Sequence, residues 1–287
     1  MISALDAPGT APPASRDILA GLFASSRPVV MGILNVTPDS FSDGGAFLAG
    51  EDALARAREM IAEGADIVDV GAESTRPYGN AAAVTAEEEL RRLKTVLPAA
   101  VALGRPVSID TMKARVAAWA LGEGAAIVND VWGLQRDPEM AAVVASHRAP
   151  VVVMHNRETV DPGIDIMADL ASYFARALAI ADGAGIARDR IVLDPGVGFG
   201  KTPEQSMTVI AQLGRLRPFG LPILVGASRK RFIDTVVPSP PDRRLGGSLA
   251  AHLLAVQRGA AIIRAHDVAP TVQALQVMAA ISEHGRG

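Results

Sequence analysis

Eight short apolar segments recur along this chain, and each one leads into polar residues at its C-terminal end. In chain order the segments are VVMGILN, DIVDV, VSID, AIVND, VVVMH, IVLD, ILVGAS and AIIRAH. The polar residues at or just beyond these ends include Asn35, Asp110, Asn129, Asp130, His155, Asp194, Lys230, Arg264 and His266. A stretch long enough for a helix separates each segment from the next. Alternating strands and helices predict a parallel sheet that is covered on both faces.

Eight strand–helix units in about 250 residues are typical of a closed barrel of eight parallel strands. We therefore predict an α/β fold, a single (β/α)8 TIM barrel over residues 28–287, preceded by a flexible N-terminal extension over residues 1–27. In such a barrel the catalytic groups project from the C-terminal ends of the strands. Because the polar residues fall at those ends, the pattern also predicts where the active site lies.

Helix signals lie between the predicted strands. Residues 51–63 carry apolar side chains at helical spacing and stop at Gly64, and Thr85 opens a capping box. Further helices are predicted at 111–123, from 137 onward, and at 167–181, 203–216, 243–257 and 268–282. The connections at 37–50 and 73–83 are longer than most βα loops, which indicates functional loops, with surplus surface loops as the alternative.

The composition limits the possible functions. Lys and Arg number 28 against 31 Asp and Glu, so the net charge gives no argument for binding nucleic acid or membranes. The absence of cysteine excludes disulfides, thiolate metal sites and cysteine nucleophiles. No apolar run approaches the roughly 20 residues that cross a bilayer, and the first residues lack the order of a secretory signal. We expect a cytoplasmic protein.

One glycine-rich segment resembles a phosphate-binding loop without satisfying its pattern. Residues 196–202 read GVGFGKT, but the first glycine of a Walker motif would fall at Pro195. Lys201 occupies the position of the last glycine in a dinucleotide-binding motif. We therefore reject both nucleotide-binding interpretations.

Four polar residues at strand ends predict a different ligand. Asp110, Asn129 and Asp194 end three strands, and Lys230 follows a fourth. Buried carboxylate and amide oxygens need hydrogen-bond donors. A flat heterocycle with an amino group and a ring N–H would supply those donors, while Lys230 would donate to its carbonyl or ring nitrogen. A structural ion pair between Asp194 and Lys230 is the alternative.

Arg264 and His266 follow the eighth strand, near which barrels of this type frequently bind phosphate. Arginine suits bidentate phosphate binding, and a structural salt bridge is the alternative for Arg264. His155 is interpreted as a hydrogen-bonding residue of the core or rim. The sequence shows no Ser-His-Asp arrangement and no metal-binding histidine spacing. It therefore favours a site that binds and stabilises its substrate without an enzyme nucleophile.

The sequence resembles the dihydropteroate synthase family. The segments that carry the resemblance are MGILNVTPDSFSDGG from Met31, GADIVDVGAESTRP from Gly64, IVLDPGVGFGKTPEQ from Ile191 and GASRKRFI from Gly226. The resemblance extends over residues 28–282 and implies a homodimeric TIM barrel, a transferase of folate biosynthesis that sulfonamides target. Such an enzyme condenses 6-hydroxymethyl-7,8-dihydropterin diphosphate with p-aminobenzoate, giving 7,8-dihydropteroate and diphosphate.

The resemblance also implies roles for individual residues. The pterin would be bound by Asp110, Asn129, Met154, Asp194 and Lys230. The diphosphate would be bound by Asn35, Arg76, Arg264 and His266, and Asn35 would also bind Mg²⁺. The p-aminobenzoate would be bound by Thr75, Arg76, Pro77, Phe199, Ser228 and Arg231. The implied catalytic residues are Asp110, Lys230, Arg264 and His266, and the first long loop would carry Asp39, Ser40, Phe41 and Asp43.

Two segments depart from the family's pattern. Arg231 stands where many members have a serine that helps to hold the p-aminobenzoate carboxylate, so Arg231 either pairs with that carboxylate or lies solvated on the surface. Residues 154–158 read MHNRE in place of a commoner MHMRG-like form. Two rival functions are a methyltetrahydrofolate–corrinoid methyltransferase, against which Asn35 and Phe41 argue, and a pterin-binding paralogue without catalysis. The intact segment 75–77 and Lys230 argue against the second.

Overall fold

The computed structural model describes residues 16–25, 27–36, 45–73 and 84–285. The strands are β1 (Val29–Asn35), β2 (Ile67–Gly71), β3 (Val107–Asp110), β4 (Ile127–Asp130), β5 (Val151–Met154), β6 (Ile191–Asp194), β7 (Leu224–Val225) and β8 (Ile262–Ala265). The helices are α1 (Arg16–Phe23), α2 (Gly45–Ala62), α3 (Ala86–Val101), α4 (Ala114–Gly122), α5 (Met140–Ser146), α6 (Ile166–Gly183), α7 (Pro203–Ala211), α8 (Arg231–Val236), α9 (Leu245–Gln257) and α10 (Val268–His284). No helix in these ranges is long and apolar enough to cross a membrane.

The strands close into a barrel. They pair in parallel in the order β6-β5-β4-β3-β2-β1-β8-β7. An isolated parallel bridge between Leu193 and Ile223 joins the two ends of this sheet. The predicted TIM barrel is therefore confirmed. Its weakest seam lies between β6 and β7, which this single bridge joins, whereas β7 and β8 pair through two residues each.

Alternate strand positions fill the barrel interior. One buried cluster holds side chains from strands on nearly every side of the barrel, and we call it the apolar layer: Val29, Met31, Ile67, Ile127, Val152, Val192, Leu224 and Ile262. The positions between them, such as Val30, Val68 and Val128, belong to a second cluster that contains the buried faces of the helices. Because strand side chains alternate between faces, the first set points inward and the second points toward the helices.

Helix α1 corrects part of the prediction for the N-terminal extension. Leu19 is buried against the apolar layer, and Ile18, Leu22 and Phe23 pack around it. Their spacing places the apolar side chains on one helical face, which stabilises the helix by covering the base of the barrel. The extension is thus ordered over residues 16–23, whereas residues 1–15 lie outside the described chain.

Two helix starts show how the sequence signals translate into structure. The hydroxyl of Thr85 accepts a hydrogen bond from the Glu88 backbone N–H, but the Glu88 carboxylate pairs with nearby arginines, so only half of the predicted capping box forms. A complete capping box joins Thr202 and Gln205 at the start of α7. That second box fixes the chain where it leaves the active-site face.

Candidate active site

Directly above the apolar layer, the inward-facing positions become polar. Two residues beyond Ile67, Ile127, Val192 and Ile262 lie Asp69, Asn129, Asp194 and Arg264. Because the side-chain period of a strand is two, these four side chains also face the interior. The strands therefore place a polar floor on an apolar base, and no long loop is needed to position it.

Strand register sets the height of the next polar residues. Asn35 pairs with Gly71, Gly71 with Asp110, and Asp110 with Asn129, so these four residues form one registered row across β1 to β4. A Cβ atom at Gly71 would lie 3.3 Å from the Cβ of Asp110. The glycine therefore keeps the row open beside Asp110.

Arg264 joins two buried carboxylates. Its Nε donates to Asp69 Oδ2 at 2.6 Å, and its Nη2 donates to Asp110 Oδ2 at 2.7 Å. Asn129 Nδ2 also donates to Asp69 Oδ2, at 3.0 Å. Burial alone would lower the pKa of Arg264, but the charges on Asp69 and Asp110 raise it above its usual range. The salt-bridge alternative for Arg264 is thus realised in the structure.

Three acceptors in this group have no donor among the described residues. They are Asp69 Oδ1, Asp110 Oδ1 and Asn129 Oδ1, and we call these residues the acceptor cluster. Leaving a buried polar atom unpaired costs about 1–3 kcal/mol, so the cluster favours a ligand that brings N–H groups. Burial also raises the pKa of Asp110 to about 7, although Arg264 opposes the rise.

Asp194 forms the opposite wall of the site. The backbone N–H of Gly196 donates to Asp194 Oδ1 at 2.7 Å, and burial raises the pKa of this carboxyl to about 6. Met154 is the register partner of Asp194 on β5 and is also buried. A third acidic group therefore stands beside an apolar surface, which suits the edge and the face of a flat ligand.

Lys230 lies over an aromatic ring at the rim. Its Nζ is 3.9 Å from the centroid of the Phe199 ring, a cation–π contact. The preceding residue, Arg229, has a φ of +58°, and its guanidinium forms a bidentate pair with Asp267 at 3.0 and 2.5 Å. A left-handed φ is costly for a residue with a side chain, so the ion pair helps to hold the strained turn that precedes Lys230.

Ser228 holds His266 through two contacts of its hydroxyl oxygen. The backbone N–H of His266 donates to Ser228 Oγ at 3.2 Å, and the same oxygen lies 3.0 Å from His266 Nδ1. The Ser228 hydroxyl therefore contacts both the backbone and the ring of His266. Burial, followed by the charge of Arg264, lowers the pKa of His266 to about 3. The imidazole is neutral at pH 7 and offers one N–H donor.

Residues 31–266 match the family model described as pterin binding enzyme. The chain belongs to the pterin-binding enzyme family. The dihydropteroate synthase of Bacillus subtilis (strain 168) is 43% identical over 267 residues, which cover 93% of this chain and 93% of that protein.

Solved structures of dihydropteroate synthases are also similar to this pterin-binding enzyme over most of its length. A dihydropteroate synthase from Clostridium difficile, in the presence of pteroic acid, has 44% identity and a TM-score of 0.86, covering 89% of this chain and 97% of its own. The enzyme of Xanthomonas albilineans in complex with 7,8-dihydropteroate has 44% identity and a TM-score of 0.82, covering 89% and 94%.

The structure of the pterin-binding enzyme brings most of the predicted site residues to one barrel mouth. These are Asn35, Asp110, Asn129, Met154, Asp194, Phe199, Ser228, Lys230, Arg264 and His266. Arg231 is exposed at the start of α8. Asp39, Ser40, Phe41, Asp43, Thr75, Arg76 and Pro77 lie outside the described residues. Asp130 stabilises the loop that follows β4, because its carboxylate accepts hydrogen bonds from the backbone N–H groups of Trp132 and Leu134.

Sequence reasoning missed Asp69. The run DIVDV shows an acid inside a strand, at the same inward parity as Ile67 and Gly71. An acid at an interior position of a parallel strand must have a partner, so this position carried the necessary signal. A pattern of polar residues at strand ends does not include Asp69, because Asp69 lies two residues before the end of β2.

Proposed function

We propose that this chain is a dihydropteroate synthase, a transferase of folate biosynthesis. It joins 6-hydroxymethyl-7,8-dihydropterin diphosphate to p-aminobenzoate and releases diphosphate. The acceptor cluster carries this proposal, because its three buried oxygens, which have no donor within the described part of the chain, lie at the mouth of a barrel that resembles a 7,8-dihydropteroate complex. Sulfonamides resemble p-aminobenzoate and compete with it.

The pterin ring is bound by the acceptor cluster and its opposite wall. Asp110, Asn129 and Asp194 accept hydrogen bonds from the amino group and ring N–H groups of the ligand. Lys230 donates to the ring carbonyl or a ring nitrogen, and Met154 packs beside the ring. The unpaired oxygens of Asp110 and Asn129 support this assignment, because a ligand donor would remove their desolvation cost.

The diphosphate leaves from a CH₂ group attached to an electron-rich dihydropterin. The C–O bond breaks first, positive charge spreads into the ring, and the aniline nitrogen of p-aminobenzoate then forms the C–N bond and loses its proton. Asp110 stabilises the cationic pterin, and Arg264 and His266 stabilise the departing diphosphate. Among the described residues, no acceptor binds Arg264 Nη1, which supports a role in holding the anion. Positioning of the two substrates contributes up to about 7–11 kcal/mol of the rate enhancement.

Mg²⁺ is the cofactor in this proposal, and Asn35 is the described residue that would hold it. Mg²⁺ usually keeps several waters and binds through one or two side chains plus substrate phosphates. Asn35 stands half-buried in the registered row, and the described ranges contain no cluster of His, Asp or Glu that would hold a metal by itself. This donor set fits an ion carried mainly by the diphosphate, where it would neutralise charge on the leaving group.

The p-aminobenzoate site is proposed at the rim above the pterin. Phe199 and Ser228 contribute from the described chain, together with Thr75, Arg76 and Pro77 of the second long loop. Arg76 also contributes to the diphosphate site. Arg231 pairs with the carboxylate from its exposed position on α8.

We also propose that the enzyme is a cytoplasmic homodimer. Helices α9 and α10 pack together and expose Leu254, Val277 and Ile281, the last of which is 68% exposed. Apolar side chains grouped on adjacent helices are typical of a protein–protein interface. A charged diphosphate ester does not cross a bilayer, so its consumer works in the compartment that makes it. Sedimentation at several protein concentrations tests the dimer, and cell fractionation tests the location.

The decisive assay measures diphosphate release from the pterin diphosphate, with and without p-aminobenzoate and Mg²⁺, together with formation of 7,8-dihydropteroate. A dihydropteroate synthase releases diphosphate in step with product and needs both additions. A pterin-binding paralogue would bind the ligand and release nothing. A corrinoid methyltransferase would instead consume methyltetrahydrofolate.

A further inference from the structure

The loop between β6 and α7, residues 195–202, lies directly on the chain that follows β5, and we call it the glycine loop. Gly196, Gly198 and Gly200 have φ values of +61°, +82° and +56°. A Cβ at Gly196 would collide with the carbonyl oxygen of His155, and one at Gly200 would lie 2.6 Å from that of Arg157. Glycine permits this path, but its conformational freedom makes the loop expensive to order. Other groups must therefore fix it.

The side chain of Lys201 occupies the centre of the glycine loop. It is only 1% exposed. Its Nζ donates to Gly196 O at 2.9 Å, to Phe199 O at 3.0 Å and to His155 Nδ1 at 2.7 Å. Three acceptors thus meet the three donors of an ammonium group. One buried amino group joins both ends of the turn to the segment after β5. Burial lowers the pKa of Lys201 to about 7, and the charge of Asp194 opposes that fall.

His155 is held as an acceptor for this ammonium. Burial lowers its pKa to about 3, so the ring is neutral, and its Nε2 lies 3.0 Å from Asp169 Oδ2. The same carboxylate oxygen accepts from Arg157 Nη1 at 2.8 Å. Nε2 must carry the proton that Asp169 receives, which leaves Nδ1 free to accept from Lys201. The network therefore prefers Lys201 as a donor of three hydrogen bonds.

We propose that Lys201 is a positioning residue for p-aminobenzoate. It holds the backbone of Phe199 and, through the ring of Phe199, the ammonium of Lys230 at 3.9 Å. The acceptor cluster stands on strands β2 to β4, outside the glycine loop, so its part of the pterin site does not depend on Lys201. The inference rests on the proposed function, because that function makes Phe199 a contact of p-aminobenzoate.

Substitution Lys201→Met tests the role, because methionine fills a similar volume without the ammonium. We expect the KM for p-aminobenzoate to rise about tenfold. Calorimetry should show a smaller rise in the Kd for the pterin, because Lys201 contacts the pterin site only indirectly, through Gly196 and Phe199. Lys94→Met is the matched control, since Lys94 is exposed on α3, and it should alter neither value.

Chemical rescue separates charge from bulk. The smaller variant Lys201→Ala leaves room for an added amine, and propylammonium should restore the KM for p-aminobenzoate, whereas 1-propanol of similar size should not. Equal rescue by the alcohol would overturn the proposal, because bulk alone would then suffice.

Two other results would also overturn it. One is an unchanged KM for p-aminobenzoate in a folded Lys201→Met enzyme, and the other is an equal loss of affinity for both substrates. Should Lys201→Met not fold, Lys201→Gln replaces it, because its amide can still donate two hydrogen bonds. A smaller rise in the KM for p-aminobenzoate is then expected, and an unchanged KM would overturn the proposal. The proposed function is tested separately, since an unsubstituted enzyme that makes no dihydropteroate would reject the function whatever the variants do.

Discussion

Replacing Asp69 with asparagine tests whether the charge of Asp69 controls the protonation of Asp110. Asp69 and Asp110 accept from Nε and Nη2 of the same guanidinium, that of Arg264. This geometry places the carboxylates about 5 Å apart, and at an effective dielectric constant of about 20 two charges at that distance repel by roughly 3 kcal/mol. Burial raises the pKa of Asp110 to about 7; Arg264 opposes the rise and the charge of Asp69 adds to it.

Asp69→Asn keeps the shape of the side chain and an oxygen for Arg264, but it removes the charge. The full repulsion would correspond to about two pH units, since one unit is about 1.4 kcal/mol. Arg264 neutralises part of it, so we expect a displacement of about one unit toward acid. The pterin N–H groups need an ionised Asp110, so pterin affinity should rise with pH in both proteins, with a lower midpoint in the variant.

Calorimetric titration of the pterin from about pH 5 to about pH 9 measures that midpoint. Asp182→Asn is the control, because Asp182 pairs with Arg188 on the surface and its loss should leave the midpoint in place. A midpoint that is unchanged in Asp69→Asn, or that moves to higher pH, would refute the electrostatic coupling of Asp69 and Asp110.

Three further substitutions test the remaining assignments. Asp194→Ala should weaken pterin binding by about 1–3 kcal/mol or more in calorimetry, because ligand donors lose their acceptor; an unchanged affinity removes Asp194 from the site. Arg264→Ala should weaken binding of the diphosphate ester far more than that of the bare pterin alcohol, and equal losses would assign Arg264 to the pterin pocket. Arg231→Ser should raise the KM for p-aminobenzoate modestly, because an exposed charge pair contributes about 1 kcal/mol or less to the binding free energy. An unchanged KM would identify a solvated surface arginine.

The fold and much of the site were predictable because both follow from strand periodicity. Apolar runs that end in Asp110, Asn129 and Asp194 specify at once a barrel and the inward polar groups at its mouth. The partner of Arg264 was not predictable in the same way, since Asp69 is 195 residues distant in sequence. Only the closure of β1 against β8 brings the two together.

Lys201 and α8 illustrate two other limits. The failed Walker pattern assigned no role to Lys201, and its partner His155 is 46 residues away on another strand end. Helix α8 has six residues, too few for helical periodicity to stand out, and it follows the strained turn at Arg229. Long-range contacts and short elements therefore depend on tertiary structure that local patterns do not encode.

Insertions and deletions have very different effects in the strands of this barrel and in its outer helices and loops. Hydrogen bonds between neighbouring strands set the relative heights of the registered row of Asn35, Gly71, Asp110 and Asn129. The lengths of the outer helices and loops do not affect these heights. Extra residues on the outside therefore leave the row in place. Removal of one residue from β3 would shift the strand register by one position. Ile109 would then lie at the height of Asp110, and the inward side chains of β3 would turn to the opposite face. Over evolution, insertions and deletions should therefore accumulate in the outer helices and loops, while the spacing of the inward polar residues is retained.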